Sequence, residues 1–107
     1  MEERNYTEQD WKLFRSRIPG WQDAYMNKMN MEYAALLAGE GKASDKFWAL
    51  EERLRRDQQS HGVIVEMRRS RLVQNMVRLL CDGVISLDDL EGFSDKLRET
   101  LSFMSRP

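Results

Sequence analysis

The side chains able to do chemistry in this 107-residue chain are few, and their spacing gives most of them structural work. Asp82-Gly83-Val84-Ile85-Ser86-Leu87-Asp88-Asp89 imitates the second half of a calcium-binding EF-hand loop, with Gly83 at the turn, Ile85 at the apolar position and Asp89 closing it. The same alignment puts Arg78 and Leu80 where the first two carboxylates belong, which leaves calcium few ligands and a positive neighbour. A turn between helices, with Ile85 buried and Ser86 as N-cap, is the expectation. His61 follows Asp57 by about one turn, but a metal needs further ligands that the spacing does not supply. It is expected as a capping or partly buried residue beside Gly62. Cys81 has no second cysteine to pair with, so it reads as a small apolar residue at a helix end. Gly39-Glu40-Gly41 lacks the Lys-Ser/Thr continuation of a phosphate loop and is a turn. Asp88 and Asp89 diverge around a helix and suit its first turn. These residues assemble no catalytic set, no cofactor site and no metal site.

Arginine is the remaining chemistry. Residues 45–81 hold eight basic and five acidic side chains, a balance of +3, whereas residues 82–107 carry -3 within an overall charge of -1. Arg68, Arg69, Arg71 and Arg78 could contact phosphates, which makes a nucleic-acid-binding accessory protein the alternative reading. The simpler expectation is a solvated helix face, neutralised within the molecule by the acidic tail.

The elements that would carry these residues are helical. Thr7-Glu8-Gln9-Asp10 and Ser86-Leu87-Asp88-Asp89 match the capping box, and Ser44-Asp45 is a weaker start. Gly39-Glu40-Gly41 and Gly83 are stops. A first helix over about 8–38 presents Trp11, Phe14, Ile18, Trp21, Tyr25, Met29, Tyr33 and Leu36 at steps of three and four. Pro19-Gly20 should kink it, although the apolar phase survives across that point. A second helix over about 45–81 is expected from Phe47, Leu54, Val65, Leu72 and Leu79, whose steps of seven and eleven are near whole turns. The apolar gap before His61-Gly62 places a bend near Gly62. A shorter helix over about 87–104 carries Leu90, Phe93, Leu97, Leu101 and Met104. The fold class is all-α: one domain over 1–107, built as a long antiparallel hairpin with a partial third helix.

Composition narrows the function classes. The chain is 41% hydrophobic and 33% charged, too apolar for a disordered segment. Its longest apolar run, Tyr33 to Ala38, is far short of the roughly 20 residues a membrane span needs. MEERNYTEQD shows no secretory pattern, and a lone cysteine suits a reducing compartment, so a cytoplasmic protein is expected.

Helices of unequal length leave apolar surface uncovered, and a second copy is the commonest cover. A homodimer is therefore expected, acting as an adaptor or accessory factor on an unidentified protein partner. Trp11, Trp21, Tyr25, Met29 and Trp48 are the candidate interface residues, because large aromatic and thioether side chains dominate contact hot spots. Met26, Met29 and Met31 cluster near the end of the first helix, where they suit packing or a partner helix.

Trp11-Lys12-Leu13-Phe14-Arg15, Trp21-Gln22-Asp23-Ala24-Tyr25-Met26, Lys46-Phe47-Trp48-Ala49-Leu50-Glu51 and Gly83-Val84-Ile85-Ser86-Leu87-Asp88-Asp89-Leu90 together resemble a family of short uncharacterised bacterial all-α proteins. Members often carry the automatic label "multidrug transporter". The resemblance covers most of the chain and implies no catalytic residue. The transport label conflicts with a sequence that has no membrane-length apolar run. Pro19-Gly20 departs from the more helical residues expected at that place in the family.

Overall fold

The computed structural model describes residues 4–106. They form four α-helices: α1 Glu8–Ala38, α2 Ala43–Asp57, α3 Leu72–Cys81 and α4 Asp95–Met104. Short 3₁₀ turns cover Arg69–Arg71 and Leu87–Leu90, and no strand occurs among the described residues. The chain is all-α.

Thr7 starts α1 as the sequence leads one to expect. Its hydroxyl accepts from the Asp10 amide at 3.0 Å, and the Asp10 carboxylate accepts from the Thr7 amide at 2.9 Å. The helix then runs 31 residues, about 46 Å, without interruption at Pro19. Pro19 deprives the Arg15 carbonyl of its helical donor, but both residues are exposed, so water can satisfy that oxygen.

The expected second helix does not form as one rod. Helix α2 ends at Asp57, residues 58–68 are non-helical, and α3 begins only at Leu72. A bend near Gly62 was too mild an expectation, because the backbone there is pressed against α1. A Cβ on Gly62 would lie 2.5 Å from Cγ of the Tyr25 ring, so only glycine permits this approach. The seven-and-eleven spacing joined two unrelated stripes. Leu72 and Leu79 are fully buried, whereas Phe47 and Leu54 are exposed.

The third helix is also divided. Asp89 accepts from the Ser86 amide at 2.8 Å, but this box opens only a single 3₁₀ turn. Gly92, at φ 96°, reverses the chain in a conformation that favours glycine, and Ser94 caps α4. The Asp82–Asp89 segment is the turn the sequence suggests, with Ile85 buried and Gly83 at φ 73°. Helix α2 begins at Ala43, ahead of the expected Ser44 cap, and has no side-chain cap.

Two regions result. Trp11, Phe14 and Ile18 from the first half of α1 share one core with Leu72, Met76 and Leu79 of α3 and with Leu90, Phe93, Leu97 and Leu101. The second half of α1 leaves this core and pairs with α2 to form an arm. The molecule measures 60 × 26 × 23 Å, with a radius of gyration of 16.7 Å. A compact chain of this length would have about 13 Å. Among the described residues, no helix is long and apolar enough to cross a membrane.

Candidate functional site

Polar contacts run along the arm. Lys46 Nζ donates to the Leu37 carbonyl at 3.1 Å near the tip. Further down, Arg53 Nη2 reaches Glu32 Oε1 at 2.8 Å and Asp57 Oδ2 at 3.5 Å, and the guanidinium lies 5.6 Å from the Tyr33 ring centre. Tyr33 Oη donates to Asp57 Oδ2 at 2.6 Å. Burial and that carboxylate raise the Tyr33 pKa to about 12, so the phenol stays a donor at neutral pH. The pairing is antiparallel, with 46 beside 37 at the tip and 53 and 57 beside 32 and 33 further down.

Few apolar side chains are consumed by this pairing. Met29 is buried, but Phe47 and Trp48 are each 64% exposed and meet edge to face at 5.0 Å. Met31, at 68%, is also left to solvent. On one side of the pair, Met26, Met29, Asn30, Tyr33, Leu54, Gln58 and Val63, together with the carboxylate Asp57, line a cleft of about 200 Å³.

The candidate interface residues are thus distributed rather than assembled. Trp11 is 5% exposed and packs near Phe14 in the core, so its ring is withdrawn from any partner surface. Trp21 is half-buried between Phe14 and Phe93. Tyr25 is half-buried against Gly62. Met29 lies inside the arm, and Trp48 alone of the five is freely presented. Phe47, outside these five, is exposed to the same extent as Trp48 although it lies on the apparent stripe.

The four candidate nucleic-acid contacts are all exposed, and each faces a carboxylate of its own chain. Arg69 grips Glu8 with two hydrogen bonds, at 2.7 and 3.1 Å, which draws the Glu8 carboxyl below its usual range. Arg68 and Arg71 flank Glu66 at 2.8 and 3.6 Å, and Arg78 stands 3.5 Å from Asp82. Neutralisation is therefore local. It does not come from the acidic tail lying along the arginines, since among the described residues Asp82 is the one tail residue involved.

Two residues tie distant parts of the core region together: Asp10, expected only as part of the Thr7 cap, and Arg17, which the sequence does not single out. Asp10, 2% exposed, accepts from the Ser94 amide at 2.8 Å and the Ser94 hydroxyl at 2.6 Å, besides its bond within the Thr7 cap. Burial pushes its carboxyl up, but the bonds from Ser94 and Thr7 outweigh that and hold it below the ordinary range. Arg17 donates to the carbonyls of Asp89 and Glu91 at 3.1 and 2.6 Å and lies 5.4 Å from the Phe93 ring centre. Both contacts span more than seventy residues of sequence, so no local pattern announces them.

His61 is half-buried, and its carbonyl accepts from Gln22 Nε2 at 3.1 Å. Cys81 is exposed at the end of α3. Among the described residues, no group of three or more His, Cys, Asp or Glu side chains is placed to hold a metal ion. No family model, curated protein or solved structure matches this chain.

Proposed function

We propose that the protein works by protein–protein contact, as a small homodimeric adaptor or accessory factor whose arm carries the contact surface. The observation that carries this reading is the exposure of Phe47 and Trp48, each 64%, on an arm that stands clear of the core. Two adjacent aromatic rings left mostly in solvent cost solubility and bury little area on folding, which is what a binding anchor looks like. The reading places the protein in the cytoplasm and gives it no catalytic step. It is preferred over nucleic-acid binding because Arg68, Arg69, Arg71 and Arg78 already face carboxylates, which lowers the local positive potential available to phosphates.

The test compares wild type with Trp48→Ala in cross-linked pull-downs from the native cell. Because Trp48 is exposed, the substitution should change stability by no more than about 0.5 kcal/mol. A protein retained by wild type and lost by the variant is expected. Identical capture by both chains, or capture by neither, overturns the role given to this anchor.

A further inference from the structure

We propose that the cleft between α3 and residues 59–66 binds a small organic phosphate, with Arg71 and Arg78 on the phosphate and Ile64 and Val65 against the body of the ligand. The proposal does not depend on the adaptor reading. Arg71, Gln74, Asn75 and Arg78 follow one another at the i, i+3, i+4 and i+7 positions of a helix, so they form one polar stripe along α3. Leu72, Met76 and Leu79 turn to the core instead. The stripe faces the 59–66 segment across a cleft of about 510 Å³, a size usual for a small-molecule site. Both walls are fixed by contacts within the chain. Asn75 Nδ2 donates to the Glu66 carbonyl at 2.9 Å, which ties the segment to α3. Gln22 holds the His61 carbonyl at 3.1 Å, and Gly62 lies against the Tyr25 ring.

The donors of this cleft are only partly used. Arg71 stands 3.6 Å from Glu66 and Arg78 3.5 Å from Asp82, both beyond ordinary hydrogen-bond length. Neither guanidinium therefore spends its N–H groups on its carboxylate, whereas Arg69 gives two to Glu8. Glu66 is the acid of the cleft, and Arg68 engages it at 2.8 Å, while Asp82 lines an adjoining recess with Arg56. On the facing wall, His61 Nδ1 is buried with no hydrogen-bond partner among the described residues. A buried N–H without an acceptor is costlier than a bare lone pair, so the neutral ring carries its proton on Nε2. That makes Nε2 the donor the ring can offer to the cleft it lines. Arg71 and Arg78 are two turns apart, roughly 10 Å at the backbone, a gap their side chains can close onto one group. A phosphate offers three oxygens and up to two charges to two guanidinium forks and a ring N–H, more than a carboxylate can. A nucleic-acid backbone needs a long positive surface, which the carboxylates break up, but one phosphate needs only the N–H groups of this cleft. Ile64, 66% exposed, and Val65 add an apolar wall that an inorganic ion would leave uncovered, so the ligand is an organic phosphate.

Amide NMR on the full chain tests the assignment, with phenyl phosphate, inorganic phosphate and phenol titrated into wild type, Arg71→Gln, Arg78→Gln and Arg55→Gln. Phenyl phosphate is expected to shift the signals of His61, Gln74 and Arg78 with a dissociation constant of about 1 mM. Inorganic phosphate should bind at least about threefold more weakly, and phenol should leave those signals in place. Arg71 and Arg78 are both exposed, so each variant should fold, and each should weaken phenyl phosphate about tenfold. Arg55, out on the arm beside Glu51, is the control, and Arg55→Gln should change the affinity by less than about twofold. No shift of the three signals by either phosphate at tens of millimolar overturns the site. Binding that survives both cleft variants, or falls equally with Arg55→Gln, reports general surface charge and overturns it too. Inorganic phosphate binding as tightly as phenyl phosphate overturns the part given to Ile64 and Val65.

Discussion

Single side chains decide how the N-terminal turn of α1 meets α4. Asp10 serves its own helix cap and the cap of a helix 84 residues further on through the same carboxylate. Asp10→Ala would leave the amides of Thr7 and Ser94 without their acceptor and should cost about 2 kcal/mol in urea unfolding. The bond also makes stability depend on acid. Because the folded carboxyl is held below its ordinary value of 3.8, its contribution is complete above about pH 4 and fades as pH falls through the lower folded value. Asp10→Asn should therefore flatten the acid limb of the stability curve below about pH 4; an unchanged limb would contradict the account. Gly62 acts by what it lacks. Gly62→Ala forces a methyl group into the Tyr25 ring and should cost about 1–3 kcal/mol, visible as a lower thermal midpoint.

Among the elements, α1 was the most legible, because its cap, its stop and its apolar phase agree. Its one local contradiction, Pro19, is overruled by burial of Ile18 and Trp11 on the neighbouring face of the helix, while Pro19 itself faces solvent. Pro19→Ala should restore a backbone bond and stabilise the chain by about 1–2 kcal/mol, less than the full proline penalty because alanine also loosens the unfolded state. A destabilised variant would show that the helix depends on its proline. The second segment misled because heptad arithmetic cannot tell one helix from two aligned ones. The gap between Arg55 and Gly62 was the true signal, a loop whose glycine must touch Tyr25. The third segment misled for a related reason. The Ser86 box is real, but Gly92 at positive φ ends its turn, and Ser94 starts a new helix. Site residues were less legible than elements. Trp11 and Phe47 both lie on an apparent apolar stripe, and only tertiary packing buries one and exposes the other.

At the scale of the whole molecule, a compact core and a projecting arm explain why a 107-residue chain reaches 60 Å. The positive balance of residues 45–81 is met locally, since the arginines facing Glu66, Glu8 and Asp82 are balanced where they stand. What the arm leaves unbalanced is apolar surface, which is where the proposed function puts contact. Small-angle X-ray scattering over a concentration series tests the homodimer most directly, because it reports mass and shape together. Dimerisation gives an apparent mass rising from the 12.7 kDa of one chain towards twice that value, with a radius of gyration growing beyond 16.7 Å. A mass fixed at one chain and a radius constant at 16.7 Å, up to hundreds of micromolar, would contradict it.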